Sequence, residues 1–236
     1  MSQLVVIIPT YNEKDNVTRM ADTLMNLDVP LHILFIDDAS PDGTADIIRN
    51  LTEKYPGKIH LEEREGKLGL GTAYIHGFKW ALERSYEHII EMDCDFSHNP
   101  DDVRRLYQAC LDGADLSIGS RYCKGGKVKD WPFKRVLMSY FASVYVRMIL
   151  WINIKDTTAG FKCYHRKVLE TINLDGITFK GYAFQICMKY ATKKHGFKIT
   201  EVPITFTDRV FGESKMSTGI FKEAFLGVWK MRRMKL

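Results

Sequence analysis

Short apolar runs alternate along this chain with longer stretches whose apolar residues recur every three or four positions. The runs Leu4–Ile8, His32–Ile36, Lys58–Leu61, His88–Met92 and Leu116–Gly119 are brief and rich in β-branched residues, so they predict strands. Between them, Asn12–Leu27, Thr44–Lys54, Leu70–Glu83 and Pro100–Leu111 carry helical spacing. Asp42 is placed to cap the second of these helices, and Asn99-Pro100 to open the fourth with Pro in its first turn. Strand–helix alternation at this interval predicts an α/β fold, a mostly parallel Rossmann-like sheet with helices on both faces. Ligands of such sheets bind beyond the carboxyl ends of the strands.

The second half is less regular. A helix is predicted over Phe133–Ile152, a polar connection over Asp156–Tyr164, a helix over Tyr182–Lys194 and a strand over Lys198–Phe206. A loop, Thr207–Gly219, leads to a terminal helix. No repeat, low-complexity tract or linker interrupts the chain, so residues 1–218 read as one domain and residues 219–236 as an amphipathic, basic C-terminal helix.

Composition narrows the picture only slightly. The 236 residues are 45% hydrophobic and 27% charged, ordinary for a globular protein, with a net charge of +5. Residues 230–236 hold four of the basic residues and no acid, which suits an anionic lipid surface, a nucleic acid or plain solvent. Five cysteines, an odd number without CxxC spacing, argue against a disulfide framework or zinc knuckle and for a reducing compartment. The start of the chain lacks the basic region of a signal peptide. The longest apolar candidate, Val136–Ile154, is interrupted by Ser139, Ser143 and Arg147, so no transmembrane helix is expected.

Chemistry gathers at the strand ends. The first strand runs into Pro9-Thr10-Tyr11-Asn12-Glu13, the second into Asp37-Asp38, the fourth into Asp93-Cys94-Asp95. Two carboxylates two residues apart, just past a strand, can hold Mg²⁺ or Mn²⁺ that also takes diphosphate oxygens. Such a metal stabilises charge on a diphosphate leaving group. A carboxylate of Asp37-Asp38 can recognise a base or ribose at the sheet edge, or the pair can simply form a turn. Gly66–Gly71 is either a phosphate-binding loop or a close backbone turn before a helix; it matches neither standard fingerprint, since Tyr74 stands where a third Gly is required. Arg121 follows the fifth strand, where it can meet phosphate. Arg135, Ser139, Ser143 and Arg147 form a polar stripe, either a solvent face or a phosphate grip. Arg209 and Lys215 lie in a Gly- and Ser-containing loop that can close on a diphosphate. Phe221, Phe225 and Trp229 beside Lys222 and Lys230 suit either an interfacial helix or a packed terminal one.

Together these pieces resemble the dolichol-phosphate mannosyltransferase group of the family 2 glycosyltransferases. The matching stretches are PTYNE at 9–13, DDASPDGT at 37–44, GKLGLGTAYIHG at 66–77, MDCDFSHNP at 92–100, GSRY at 119–122, DTTAGFKCY at 156–164, GYAFQ at 181–185 and VPITFTDRVFGESKMS at 202–217. The resemblance implies a GT-A catalytic domain, GDP-mannose as donor and a polyprenyl phosphate as acceptor. It places Pro9, Tyr11, Glu13, Ile36 and Asp38 at the guanosine, and Asp93, Cys94 and Asp95 at the diphosphate through a divalent metal held by Asp93 and Asp95. Arg121, Arg209 and Lys215 would contact donor phosphates or sugar, and Arg121, Arg135 and Ser139 the acceptor phosphate. Asp95 and Arg121 would carry the catalysis. It further implies a peripheral enzyme on the cytoplasmic face of a membrane, similar to an anchor-free subtype of which some members rely on small membrane-protein partners. No nucleic-acid partner is expected. The same reaction with UDP-glucose or another nucleotide sugar, and a non-catalytic nucleotide-sugar-binding protein, are the rival readings. Three positions depart from the group's pattern: Cys94 replaces Ala, Ala39 replaces Gly, and Cys187 stands where Glu is usual.

Overall fold

The computed structural model describes residues 3–208 and 218–234, with side chains in the last helix described from Phe225 onward. The strands are β1 (Leu4–Thr10), β2 (Leu31–Asp37), β3 (Ile59–Glu63), β4 (His88–Glu91), β5 (Leu116–Ser120), β6 (Lys127–Lys129), β7 (Lys162–His165), β8 (Ile199–Pro203) and β9 (Thr205–Thr207). The helices are α1 (Lys14–Met25), α2 (Thr44–Lys54), α3 (Leu70–Glu83), α4 (Asp102–Leu111), α5 (Phe133–Leu150), α6 (Arg166–Thr171), α7 (Tyr182–Lys194) and α8 (Thr218–Met231). Seven strands form one sheet in the order β3-β2-β1-β4-β7-β5-β8, parallel except for β7, and β6 pairs with β9 in a small second sheet.

Alternation along β1 and β2 divides the core in two. Val5, Ile7, Leu34 and Ile36 face the side covered by α3, α6, α7, the end of α5 and Val228 and Met231 of α8. Leu4, Val6, Ile8, Ile33 and Phe35 face α1, α2 and α4. Both faces are buried, which is why these strands read as unbroken apolar runs. Gly77 lets α3 settle on the sheet: a Cβ there would stand 2.8 Å from Ile7 and Ile36 side-chain atoms.

Several predicted elements need correction. The connection expected over Asp156–Tyr164 contains β7, which inserts antiparallel between β4 and β5. The predicted strand Lys198–Phe206 is two strands, because Pro203 has no N–H with which to continue the ladder. The fourth helix begins at Asp102 rather than Pro100. The residue flanking α2 is Gly43 at φ +87°, and Asp42 supports it from one position earlier, accepting from the Thr44 N–H at 3.1 Å.

α5 is mixed in polarity: Val146, Ile149 and Leu150 near its end enter the core, while much of its remaining apolar surface is exposed. Ser143 is buried, and Arg135 and Ser139 line an open groove. Phe133, Leu137, Met138, Tyr140, Phe141 and Met148 are exposed, Phe133 at 77%, and Met138 and Phe141 also line that groove. Trp151, just past the helix, is 82% exposed. The polar stripe of the sequence is therefore not the solvent face. Among the described residues no helix is long and apolar enough to cross a membrane.

Candidate active site

The strand order reverses between β1 and β4, and a cavity of about 390 Å³ opens beyond the carboxyl ends of the strands there. Pro9, Tyr11 and Glu13 reach it from the end of β1, Asp38 from β2, Asp93, Cys94 and Asp95 from β4, and Arg121 from β5. Residues far apart in sequence meet because each follows a strand of one parallel sheet. Ile36 does not: its side chain is buried against α3 and does not line the cavity. Arg209 and Lys215 lie outside the described residues.

On the donor side, Asp37 and Asp38 divide their work. Asp37 is buried and structural, accepting from Thr10 Oγ1 at 2.8 Å, Ser40 N at 2.8 Å and Ser40 Oγ at 2.6 Å. Asp38 lines the cavity and is gripped by Arg64, whose Nε donates to Oδ1 at 2.7 Å. Burial raises the Asp38 carboxyl, and Arg64 offsets this only in part. Arg64 also donates to Thr72 Oγ1 at 2.8 Å, so one guanidinium joins the β2 end to the first turn of α3. Ala39 holds φ +55°, a left-handed conformation that Gly adopts more readily. Lys67 lies 4.6 Å from the centroid of the Tyr11 ring, beside the cavity. The glycine loop serves close packing: a Cβ on Gly71 would stand 2.5 Å from the Phe179 carbonyl oxygen, and Gly71 N donates to Lys180 O at 2.9 Å.

Asp93 and Asp95 are held from several directions. Asp95 is buried and accepts from Ser97 N at 3.0 Å. Tyr74 donates to Asp93 Oδ1 at 3.4 Å, and the Asp93 N–H donates to His98 Nδ1 at 3.3 Å. Burial, the largest influence, lowers His98 to about 4, so near neutral pH its ring is uncharged, with the proton on Nε2. No cluster of three or more metal-ligating side chains occurs among the described residues. A two-carboxylate set suits a hard cation that completes its shell with water and diphosphate oxygens rather than a cation caged by protein.

Beneath the two carboxylates lies a buried polar layer with little trace in the sequence pattern. Lys162 Nζ is 3.0 Å from Glu91 Oε1, which also accepts from Tyr164 OH at 2.9 Å, while Gln185 donates to Glu91 Oε2 at 2.9 Å. Burial lowers the pKa of Lys162 despite Glu91. Lys189, fully buried, donates to the carbonyls of Thr157 at 3.0 Å and Ala159 at 2.6 Å, on either side of Thr158. Cys187, at the position where Glu is usual in the resembling group, is pushed up by burial to about 12 and remains a thiol.

Arg121 is fixed with unusual completeness. Asp156 accepts from its backbone N at 2.9 Å, from Nε at 2.7 Å and from Nη2 at 2.6 Å, and Nη2 also donates to Thr158 Oγ1 at 2.8 Å. Burial opposes the charge on each partner, but their attraction outweighs it, raising the pKa of Arg121 and lowering that of Asp156. Arg135 lies over the Trp131 ring, 3.9 Å from its centroid, and its Nη1 pairs with Asp208 at 3.1 Å.

A second, apolar groove of about 600 Å³ adjoins the first. Arg121, Trp131, Arg135, Thr158 and Tyr182 line both. Met138, Phe141, Ala142, Val146, Ile186 and Phe225 continue the groove, and Ser139 joins Arg121 and Arg135 there. The three residues assigned by resemblance to the acceptor phosphate thus share one wall. Trp131, Thr158, Tyr182 and His98 escaped the sequence reading as site residues, although the last three fall inside the quoted motif stretches.

A parallel sheet with a nucleotide-type crevice and an acidic pair at its reversal point defines a GT-A-like glycosyltransferase fold. Residues 5–172 match glycosyl transferase family 2, and the chain belongs to that family. Relatives at 45% identity include a polyprenol monophosphomannose synthase of Mycolicibacterium smegmatis, matched over 97% of this chain and 87% of that one. An undecaprenyl-phosphate mannosyltransferase of Micrococcus luteus is also 45% identical, over 96% of this chain and 92% of its own. A dolichol-phosphate mannosyltransferase of Pyrococcus furiosus is 38% identical over 97% of this chain and 63% of its own. Among solved structures, glucosyl-3-phosphoglycerate synthase from Mycobacterium tuberculosis, in complex with Mn²⁺, UDP and glucosyl-3-phosphoglycerate, shares the fold at a TM-score of 0.71 and 17% identity, covering 99% of this chain and 81% of that one. Another structure of that synthase holds Mg²⁺ and UDP.

Proposed function

We propose that this glycosyltransferase moves mannose from GDP-mannose to a polyprenyl phosphate at a membrane surface, giving a β-linked polyprenyl phosphate mannose and GDP. The observation that carries the reading is the junction of two unlike cavities. One has an acidic pair and a third carboxylate, Asp38. The other is an apolar trough, and two arginines stand in their common wall. A substrate pair with a nucleotide diphosphate at one end and a lipid phosphate at the other matches that division. The names of the relatives point to the same lipid class and sugar.

The chain's own residues then have defined work. Asp38 faces the base and Tyr11 the guanosine end, while Asp93 and Asp95 would hold a divalent cation. When bound, that cation offsets the charge developing on the leaving diphosphate. Arg135 and the Nη1 of Arg121, the nitrogen that Asp156 leaves open, meet the acceptor phosphate, and Ser139 adds a hydroxyl. No protein base is required, because a phosphate monoester with a second pKa of about 6 is mostly dianionic at neutral pH. Direct displacement on an α-linked donor inverts the anomeric centre.

The outward apolar face of α5, with Trp151 and with Phe225, Leu226 and Trp229 of α8, provides the surface that meets lipid. Lys230, Arg232 and Arg233 follow in the same terminal segment, with Arg232 5.8 Å from the Trp151 ring centroid, and suit an anionic, cytoplasmic leaflet. A small membrane-protein partner is compatible with the same face.

The deciding experiment offers GDP-mannose, UDP-glucose and UDP-GlcNAc in turn with a polyprenyl phosphate, and identifies the product by mass and its anomer by NMR. The expected result is a β-mannosyl phosphate from GDP-mannose alone. Preferential use of a UDP sugar would replace the donor assignment, and an α-linked product would replace the single-displacement mechanism.

A further inference from the structure

Trp131 occupies the short segment between β6 and α5 and lines both cavities. Its ring lies 3.9 Å from Arg135 Cζ and 5.6 Å from Arg121 Cζ. Phe206 meets the Trp131 ring edge-on at 5.3 Å and lies 5.5 Å from Arg121 Cζ. One indole thus borders both guanidiniums of the common wall.

This arrangement addresses an electrostatic difficulty. Two cations that converge on one phosphate repel each other until the phosphate arrives. Carboxylates can steady them, as Asp156 does for Arg121 and Asp208 for Arg135, but a carboxylate occupies the N–H edge that the phosphate needs. An aromatic face attracts a guanidinium through its quadrupole, carries no charge and leaves the N–H edge open. Asp208 and Arg135 are both about one-third exposed, so this pair is open to exchange with an incoming anion. The ring contact of Arg135 can persist through that exchange because it uses a different surface of the guanidinium.

Resting on the acceptor reading above, we propose that Trp131 is a positioning residue for the acceptor phosphate, its ring holding Arg135 beside Arg121 so that the N–H edge of Arg135 and the Nη1 that Asp156 leaves open on Arg121 meet one lipid phosphate at the mouth between the cavities. Trp131 need not touch the reacting atoms. Its effect belongs to acceptor affinity and not to the donor.

The test compares the full-length wild type, Trp131→Phe and Trp131→Leu, with GDP-mannose and a polyprenyl phosphate as substrates. Binding of a short-chain prenyl phosphate without donor is measured in parallel by calorimetry. Trp131→Leu is expected to raise the acceptor KM and the prenyl phosphate Kd about tenfold, about 1.4 kcal/mol, while the GDP-mannose KM stays within about twofold. Trp131→Phe is expected to recover most of the loss, since it keeps an aromatic face. Equal rises in both KM values, or a Phe variant as impaired as the Leu variant, would overturn the proposal and leave Trp131 as packing alone. If wild type binds the prenyl phosphate and Trp131→Leu does not, yet no mannose is transferred, the function fails and the positioning role stands. If transfer proceeds and the variants match wild type, the positioning role fails and the function stands.

Discussion

Asp156→Asn isolates the structural charge behind the common wall. Asp156 is fully buried and Arg121 nearly so, and the carboxylate accepts three hydrogen bonds from Arg121 at 2.6–2.9 Å. Asparagine can keep one oxygen, enough for the backbone N and Nε, which share Oδ2. Its amide NH₂ must then face Nη2, a donor against a donor, and Arg121 loses its neutralising charge. Breaking a buried pair by removing one partner costs about 3–5 kcal/mol. For a chain of this size each kcal/mol shifts Tm by about 2–4 °C, so Tm should fall by about 6–20 °C. The double substitution Asp156→Leu with Arg121→Met removes both charges and should be less destabilised than Asp156→Asn, although it cannot grip a phosphate. Urea unfolding followed by tryptophan emission, with acceptor KM measured on each folded variant, checks both arms. A loss under about 1 kcal/mol for Asp156→Asn, or a double variant less stable than the single one, would refute the premise that burial of an unmatched charge dominates here.

Asp95→Asn should lower turnover by orders of magnitude and chelation should abolish it. The fold should survive, because the Asn oxygen can still accept from Ser97 N; near-normal turnover in the folded variant would remove the metal assignment. Stability should fall between about pH 6.5 and pH 4, because burial lowers His98, His32, His60 and His88 below the ordinary histidine value. The unfolded chain takes protons that the folded chain refuses, so stability is full above the unfolded value and declines below it. His98 alone accounts for about 3 kcal/mol by pH 4, and urea midpoints that do not change across this range would contradict it. Phe133→Ser, Trp151→Ser and Trp229→Ser together should weaken anionic-vesicle binding by at least about tenfold while Tm holds, read by co-sedimentation. These substitutions are better probes than truncation before Gly219, which would also strip Val228 and Met231 from the core.

The sequence alone carried the first half of the sheet and the acidic residues that gather at its edge. Thr44–Lys54, Leu70–Glu83 and Tyr182–Lys194 are helices with the expected bounds, because their apolar period and flanking residues are local signals. Asp93 and Asp95 were legible for a related reason: a parallel sheet delivers whatever follows its strands to one edge, so adjacency to a strand end is enough to place them. What depends on contacts between distant residues was not legible. β7 is only four residues long and starts with buried Lys162, a charge whose partner, Glu91, lies on β4. Lys189 reads as one more surface lysine in a helix until the carbonyls of Thr157 and Ala159 close around it. The spacing of Arg135, Ser139, Ser143 and Arg147 defined a stripe but not its direction. A helix period is symmetric between inside and outside, and only the tertiary structure turned Arg135 and Ser139 of α5 toward the groove shared with Arg121, sent Val146, Ile149 and Leu150 into the core and left Phe133, Leu137 and Met148 exposed.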